Sequence, residues 1–303
     1  MFLKAYFPLE YMVATINNFG GFYSTELYVH EARMHGGIIE APCVNKSFNE
    51  TIIIGKHIYL GFMFLHGLEV KTIKKLLLDR EEHGAFKSLD DCIERLSISV
   101  EQIAILIKIN AFRFTGGINK RELLWEAHLK ISKTVVEDHV INLFETKRID
   151  YKTPELPSSA LEDAFDALEL LGFTLCNPFS LLEQTAVQPL RALQLPKFKN
   201  RNISIEGYLV TTKNTVTSSG KYMHFGTFLD YDGNFIDTVH FPPVASKYPF
   251  RGKGIYTITG KVIEEFDCIT IEVVTMEKLA VIQDPRYSDL PPKFITNTNR
   301  RIG

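Results

Sequence analysis

The stretch TSSGKYMHFGTFLDYDGNFIDTVHFP, which runs from Thr217 to Pro242, contains two apolar-rich runs separated by an Asp-Gly turn. Apolar and polar residues alternate along both runs, and this period of two is typical of half-buried β-strands. Asp-Gly is favoured in tight hairpin turns, and the Ser-Gly pair before the first run indicates another turn. The stretch therefore predicts two neighbouring antiparallel strands.

The same pattern continues on both sides of this hairpin. A short helical or looped piece, Val244 to Tyr248, separates the third strand candidate from the fourth. Strands with this break, and with a glycine at position 207 in the first, are typical of an OB-type β-barrel. The five candidates are ISIEGYLVTTK, KYMHFGTFLD, NFIDTVHFP, IYTITGKVIEE and CITIEVVTM.

The chain before the barrel is helical by pattern. A helix from Ser24 to His35 begins on a capping serine and stops at two glycines. Apolar residues recur at helical spacing between Ile58 and His128, where Ser88 and Ser99 precede two amphipathic runs. A further helix, Ala160 to Leu171, follows a polar stretch with prolines that is typical of a linker. The sequence therefore predicts an α+β, multidomain chain that ends in a barrel.

Bulk composition excludes several classes of protein. The chain has 303 residues and a net charge of −2, so nucleic acid would bind at local basic patches rather than over the whole surface. The four cysteines form no Cys-x-x-Cys pair, which argues against a zinc knuckle or a disulfide framework. No segment has the pattern of a membrane span or a signal sequence. We therefore expect a cytoplasmic protein without a membrane partner.

Two possible metal motifs fail on their spacing. Asp230 and Asp232 could pair as metal ligands, but they lie at the turn of the predicted hairpin. His30 and Glu31 begin like a zinc-protease helix, but Met34 stands at the position of the second histidine. The sequence also has no GxSxG, no GxxxxGK[ST] and no strand-following GxGxxG motif. We therefore predict no catalytic residue, no metal and no cofactor in this chain.

Rings and ammonium groups on the barrel hairpin predict a site for single-stranded nucleic acid. Met223 and Phe225 share one face of the strand, and Tyr222 and His224 share the opposite face, which we expect to be exposed. Bases stack on rings while ammonium groups follow phosphates. The alternative, a solvated face of a protein-interaction module, stays open. The candidate residues are Lys213, Lys221, Tyr222 and His224.

A glycine turn before a helix predicts a second site, for duplex DNA. His66-Gly67-Leu68 leads into a helix that carries three lysines. Backbone N–H groups in such a turn can hold a phosphate, and lysines one turn further add positive charge. Spacing alone favours the alternative, an ordinary helix-turn-helix packing with solvated lysines. The candidate residues are Gly67, Lys71, Lys74 and Lys75.

Taken together, several stretches resemble the C-terminal part of the alpha subunit of bacterial DNA polymerase III, a family C DNA polymerase. LKAYFPLEYMVATINN and APCVNKS resemble segments at the end of that family's fingers region. LGFMFLHGLEVKTIKKLLLDREEHGAFKSLDDCIERL and INAFRFTGGINKRELL resemble its tandem helix-hairpin-helix module. ALELLGFTLCNPFSLL resembles the element before its barrel, and the opening hairpin resembles its OB signature.

The resemblance implies both a domain organisation and a clamp contact. In the family's Gln-x-x-Leu-Phe motif, which binds the sliding clamp, Leu143 and Phe144 match but Val140 replaces the glutamine. The competing interpretation makes this pair the end of an amphipathic helix. The implied domains are the end of a fingers-like region at 1–54, a helix-hairpin-helix module at 55–135, a linker with the clamp segment and a helix at 136–195, the OB domain at 196–283, and a tail at 284–303.

The sequence departs from the family pattern at both helical hairpins. His66 and Glu69 replace a lysine and a glycine, and Glu69 puts an anion where a phosphate would sit. Asn110 replaces the glycine before Ala-Phe, although asparagine tolerates a left-handed backbone. The family's palm, with its metal-binding aspartates, would lie upstream of Met1. We therefore expect that this chain does not polymerise DNA by itself.

The expected role is to handle DNA for a polymerase. The resemblance implies that the chain positions duplex and single-stranded template DNA and contacts the sliding clamp during replication. The rest of the polymerase, as a separate chain, is a further candidate partner. Two alternatives are a vestigial or interaction-only module, and an anticodon-type barrel, against which the helical module argues.

Overall fold

The computed structural model describes residues 2–19, 23–116, 119–137, 160–184, 188–218, 220–265, 268–284 and 286. The predicted clamp residues, Leu143 and Phe144, and the predicted tail beyond Arg286 lie outside the described residues. Within the described part, no helix is both long and apolar enough to cross a membrane.

Three helices and a small sheet form the N-terminal part of the chain. Strand β3 pairs in parallel with β1 and antiparallel with β2, so the sheet has the order β1-β3-β2. The elements are α1 (Phe2–Tyr6), α2 (Pro8–Asn17), α3 (Thr25–Met34), β1 (Ile38–Glu40), β2 (Ile52–Ile54) and β3 (His57–Tyr59).

The helical pattern predicted from Ile58 onward is wrong at its beginning. Ile58 lies in β3, a short 3-10 helix covers Phe62–Phe64, and the first helix of the module begins only at Val70. Strands of three residues are too short to display a period of two, which is why the sequence pattern did not reveal them. At Gly61, which follows β3, a Cβ would lie 2.4 Å from the carbonyl oxygen of Asn49, so only glycine fits this close approach.

Five α-helices follow in the described residues, four of them in the central module and the fifth, α8, beyond it. The hydroxyl of Ser88 accepts a hydrogen bond of 3.1 Å from the N–H of Asp91, as predicted for a helix cap. One hydrophobic cluster runs from Ile16 in α2 through the module to Phe173, so the small sheet and these helices share a core. The helices are α4 (Val70–His83), α5 (Leu89–Leu96), α6 (Val100–Lys108), α7 (Lys120–Glu137) and α8 (Ala160–Leu171).

The C-terminal part is a closed five-stranded barrel with the order β4-β5-β6-β8-β7. Strand β7 pairs with β4 to close it, and all pairs are antiparallel except β6 with β8. This strand order, with one helix between the third and fourth strands, is the OB fold, so the predicted barrel is confirmed. The elements are β4 (Asn202–Val216), β5 (Tyr222–Leu229), β6 (Phe235–His240), α9 (Pro242–Lys247), β7 (Ile255–Glu265) and β8 (Cys268–Lys278).

The barrel packs against α3 around a buried carboxylate, Glu26. Tyr208 of β4 donates a hydrogen bond of 2.8 Å to this carboxylate, and Lys253 forms an ion pair with it. Burial alone would raise the pKa of Glu26, but the nearby His30 ring, hydrogen bonds from Lys253 and Tyr208 and the lysine charge outweigh burial and lower it. Leu27 of α3 also packs into an apolar cluster with the barrel. The barrel is therefore fixed to the helical part by polar and apolar contacts.

Candidate nucleic-acid interface

The face of β5 that carries Tyr222 and His224 was expected to be exposed, but it points into the barrel. A Cβ on Gly226 would lie 2.8 Å from the Phe228 ring and 2.9 Å from the Thr238 hydroxyl, so position 226 faces the barrel interior. His224 lies two residues before Gly226 on the same strand and therefore shares this inward face. The prediction that the face of Tyr222 and His224 points outward is wrong for the strand, and the outward face carries Phe225.

The error has a physical cause, because β5 is apolar on both faces. Its outward residue Leu229 is buried in the cluster that includes Leu27 and Tyr208, where the barrel meets α3. Its inward residue Phe228 is buried in the barrel core. A period of two shows that a strand has two faces, but it does not show which face is the core when both are covered.

At the hairpin tip, residues 216–218 and 220–222, β4 no longer pairs with β7 but only with β5, and Tyr222 is exposed. The side chain of Tyr222 is 64% exposed although it shares the inward side of the strand. The tip is closed by a hydrogen bond of 2.8 Å from the N–H of Thr217 to the carbonyl of Lys221. Gly220 has a φ of +74°, which suits glycine. Tyr222 and Lys221 therefore lie on an exposed tip, as a stacking ring and a phosphate contact require.

The outward face of the same hairpin combines a cation with aromatic rings. Lys213 of β4 is exposed and pairs across the strands with Phe225, whose side chain is 38% exposed. Phe241, just after β6, is 41% exposed. The sequence interpretation missed both phenylalanines as exposed rings, because it placed them on the core face.

The barrel is basic at the end that carries the hairpin tip. Lys247 at the end of α9 and Arg251 in the following loop are exposed, and Phe250, which lies between them in the chain, packs against His224 and His240 of the hairpin strands. Residues 207–229 and 238–263 contain no acidic residue, a sequence signal that could have indicated this polarity. The other end of the barrel carries Glu265 and Glu264 at the end of β7, where Glu264 forms an ion pair of 2.7 Å with Lys199. We call Lys213, Lys221, Lys247 and Arg251 the basic end.

An imidazole pair lies beneath this basic end. His224 and His240 pair across β5 and β6, and their rings lie 6.1 and 4.8 Å from the Phe250 ring. His240 is buried, with its Nε2 3.0 Å from the hydroxyl of Thr238. Burial, with a smaller contribution from His224, lowers the pKa of His240 to about 4. His240 is therefore neutral at neutral pH.

At the first helical hairpin, residues 66–69, backbone N–H groups already donate hydrogen bonds to acceptors within the protein. The N–H of His66 donates to the carbonyl of Leu170 at 2.8 Å. The N–H of Glu69 donates to Oε1 of Gln102 at 2.7 Å, and Nε2 of Gln102 donates to the carbonyl of Gly67 at 3.0 Å. These contacts leave fewer backbone donors for a phosphate than the glycine turn suggested.

The lysines predicted beside that hairpin are exposed on α4. Lys71 forms an ion pair of 2.9 Å with Glu69, so part of its charge is already neutralised at the turn. Lys74 and Lys75 are exposed one turn further along the helix. Gly67 has a φ of +80°, which explains the glycine at this turn. The site therefore offers exposed ammonium groups rather than a backbone cradle.

The second hairpin follows the expectation for its asparagine. Asn110 has a φ of +61°, in the left-handed region. Its N–H donates to the carbonyl of Ile107, and the N–H of Ala111 donates to that of Leu106, both at 2.9 Å. The replacement of glycine by Asn110 therefore preserves the turn.

Asp230 organises a turn, as predicted. Its Oδ1 accepts hydrogen bonds from the N–H groups of Asp232 and Asn234, at 2.9 and 2.8 Å. Its Oδ2 accepts from the N–H of Ala192 at 2.8 Å. Asp232 pairs with Arg191 at 2.9 Å. Among the described residues, no group of three or more histidine, cysteine or acidic side chains could hold a metal ion.

The chain matches a family model described as a helix-hairpin-helix motif over residues 36–123. This range contains both helical hairpins and the small sheet that precedes them. The motif predicted for the central module is therefore confirmed.

Several bacterial DNA polymerases are similar in sequence to this chain, and two of them match more than three quarters of it. An error-prone DNA polymerase from Mycobacterium tuberculosis is 35% identical over 109 residues, which cover 35% of this chain and 10% of that protein. One from Vibrio parahaemolyticus is 27% identical and covers 77% and 22%. A DNA polymerase III subunit alpha from Treponema pallidum is 28% identical and covers 80% and 22%. The chain thus spans at most about a fifth of the length of these relatives.

A solved structure with a similar barrel is the second OB-fold domain of replication protein A from Methanococcus maripaludis. It is 15% identical, covers 28% of this chain and 91% of that domain, and has a TM-score of 0.22. The barrel assignment rests on the strand order described above. The chain is therefore homologous, over much of its length, to the error-prone DNA polymerases and the alpha subunits of DNA polymerase III.

Proposed function

We propose that this chain is a DNA-binding region of a polymerase and that the basic end of its barrel holds single-stranded template DNA. The observation that carries the proposal is the coincidence of four cations with exposed rings at one end of an OB barrel. The homology to polymerases supplies the context, a strand that must be held near a replicating end.

The strand would cross the outward face of the hairpin at Phe225 and continue over the exposed tip, where Tyr222 lies on the other side of β5. Exposed rings of Tyr222 and Phe225 can stack on bases, and stacking contributes about 1–3 kcal/mol for each base. Lys213, paired with Phe225, and Lys221 at the tip can meet phosphates on either side of these rings. Residues 207–229 and 238–263 contain no acidic residue, so the segments that form the basic end carry no carboxylate that would repel a phosphate.

The proposal extends to duplex DNA and to the sliding clamp. Lys71, Lys74 and Lys75 would follow the duplex backbone through charge, because the turn at Gly67 already uses much of its hydrogen-bonding capacity. Leu143 and Phe144 would insert into a groove of the clamp as an apolar pair. Capture of purified clamp by the chain, and its loss in the double variant Leu143→Ala with Phe144→Ala, tests the second contact.

Fluorescence anisotropy with labelled oligo-dT tests the single-strand site on the full chain. We expect an affinity that falls linearly with salt on logarithmic axes, because bound ammonium groups release counterions. Tyr222→Ala should weaken binding about tenfold, as the loss of one stacked base predicts. The matched control is Tyr6→Ala, which removes an exposed ring on α1 and should leave the affinity unchanged.

The interaction-only module is the second candidate function, and the closed first hairpin favours it. At that hairpin, the side chain of Gln102 and the carbonyl of Leu170 accept hydrogen bonds from backbone N–H groups that would otherwise be available to a phosphate. No binding of oligo-dT at 50 mM salt would overturn the single-strand proposal and leave this candidate. Equal losses in Tyr222→Ala and Tyr6→Ala would overturn the assigned stacking site.

A further inference from the structure

A cavity of about 540 Å³ opens beside the basic end. It lies where the inward side of the hairpin, the loop after α9 and the start of α3 meet. A volume of a few hundred cubic ångströms is typical of sites for small organic groups. The lining residues used below are Ser24, Asn214, His224, Phe250 and Lys253.

One wall of the cavity is aromatic. The rings of Phe250 and His224 meet edge to face, with an interplanar angle of 77°. Phe250 also packs against His240, which holds its ring in place. A fixed phenylalanine ring beside a cavity provides a flat apolar surface on which a planar group can stack.

The polar groups of the cavity are suited to a base edge. Nδ1 of His224 and Oδ1 of Asn214 share a hydrogen bond, in which the imidazole donates to the amide oxygen. The amide N–H₂ of Asn214 then remains a donor, and Nε2 is the remaining hydrogen-bonding atom of the His224 ring. Neither group, nor the hydroxyl of Ser24, has a side-chain partner among the described residues beyond that bond. Adjacent donors and acceptors of this kind are what proteins use to recognise base edges.

The charge of the cavity argues for a base rather than a phosphate. Lys253, its one lining cation among the described residues, forms an ion pair with Glu26 and donates to the carbonyl of Gly172 at 3.0 Å. His240, behind Phe250, is neutral at neutral pH because burial lowers its pKa to about 4. A site whose cation is already paired attracts an anion only weakly. An uncharged planar ring, by contrast, enters at a small cost in desolvation free energy.

We propose that this cavity takes one unstacked nucleobase of a bound single strand, stacked on Phe250 and recognised by Asn214 and His224. The inference rests on the proposed single-strand function and adds a specific base site to it. Lys213 and Asn214 are neighbours on opposite faces of β4, so a strand on the outward face can turn one base around the edge of the sheet. His224, which was expected to lie on the exposed face, then contributes from the inward side.

The test uses oligo-dT in which one thymine at a time is replaced by 2-aminopurine, a fluorescent purine. In the wild-type chain, we expect one position to show a fluorescence change at least twofold different from that of its neighbours. Phe250→Leu and, separately, Asn214→Ala should bring that position to the level of its neighbours and lower the affinity about fivefold. Phe241→Leu, on the outward face, is the matched control and should keep the distinct position.

The outcomes separate the two proposals. Binding with the same fluorescence change at every position, or a distinct position that survives both Phe250→Leu and Asn214→Ala, overturns the base site while the single-strand site stands. No binding of any oligonucleotide overturns both. Asn214 is exposed, so its variant reports on the site even if Phe250→Leu proves too unstable to measure.

Discussion

The first helical hairpin and the basic end of the barrel were both predicted to contact DNA, and they differ in what they leave available. At residues 66–69, backbone donors and an acceptor are bonded within the protein, to Leu170 and Gln102. At the barrel end, Lys221 and Tyr222 lie on an exposed tip. The difference shows that the capacity of a glycine turn to bind a phosphate depends on residues distant in sequence, which can bond to its backbone groups first. Phosphate binding at the basic end depends instead on exposed cationic side chains.

Free energies favour the barrel end. A phosphate at the first hairpin would replace existing hydrogen bonds, each with a net contribution of about 1 kcal/mol, and would meet the carboxylate of Glu69. A phosphate at the basic end meets exposed cations, and its binding releases counterions. We therefore expect single-strand affinity to depend on the barrel cations and hardly at all on the lysines of α4.

The largest expected effect comes from neutralising the basic end. The combined variant Lys213→Gln, Lys221→Gln, Lys247→Gln and Arg251→Gln should lower oligo-dT affinity on the order of a thousandfold at 50 mM salt. The slope of log affinity against log salt should decrease by about 3, since each phosphate contact on a single strand contributes about 0.7. Anisotropy titrations at four or more salt concentrations measure both quantities.

The matched control is the combined variant Lys71→Gln, Lys74→Gln and Lys75→Gln in α4. It removes a similar number of exposed ammonium groups from the helical module, and the affinity for oligo-dT should change less than twofold. Equal losses in the two combined variants would show that the chain binds single strands through general charge, and the contrast between the two regions would be wrong.

Acidification should destabilise the barrel end through His240. The unfolded chain binds a proton on this imidazole near pH 6.5, and the folded chain only near pH 4, so the unfolded state binds more protons between these values. Stability is therefore complete above about pH 6.5 and falls by about 3 kcal/mol as the pH drops to 4. Urea unfolding of the wild type and of His240→Gln at pH 7 and pH 4.5 measures this contribution.

His240→Gln should lose less stability on acidification than the wild type does. Tyr222→Ala, an exposed ring at the same end, should keep the wild-type difference between the two pH values. If the wild type and His240→Gln lose the same free energy of unfolding, then His240 is not held neutral by burial, and the environment described for Phe250 is wrong as well.

Gln102→Ala should destabilise the closed hairpin by about 2 kcal/mol. Gln102 is buried, and its removal leaves the N–H of Glu69 and the carbonyl of Gly67 without their partner. Urea unfolding at pH 7 measures the change. Glu94→Ala, at an exposed position of α5, is the control and should change the free energy of unfolding by less than about 0.5 kcal/mol. A similar small change for Gln102→Ala would mean that the hairpin is not closed by this residue.

The architecture was largely predictable because its signals are local. The five barrel strands alternate with a period of two, and glycine-containing turns separate the first three, so their bounds were found within a few residues. The cap of α5 was evident because Ser88 needs only a donor three residues away. The left-handed backbone at Asn110 followed from comparison with a glycine in a related family.

The candidate site was less predictable because its contacts are long-range. Glu69 bonds to Gln102, 33 residues away, and no pattern around Gly67 indicates that partner. The orientation of β5 depends on α3, which covers Leu229 on the outward side and so makes both faces apolar. The absence of acids in 207–229 and 238–263 was visible in the sequence, but its meaning requires the fold that brings those segments to one end.

The smallest expected effect concerns the second hairpin, where the resemblance to the family had already suggested the answer. Asn110 is exposed and has a φ of +61°, so substitutions there test the backbone and little else. Asn110→Gly should be more stable than Asn110→Ala by about 1 kcal/mol, because a Cβ is unfavourable in the left-handed region. At the exposed Lys75, inside α4, the order should reverse, since alanine exceeds glycine by about 1 kcal/mol in a helix. Urea unfolding of all four variants measures both differences. If alanine were more stable than glycine at both positions, the second hairpin would lack the left-handed turn. It would then also lack the backbone shape that it shares with the first hairpin at Gly67.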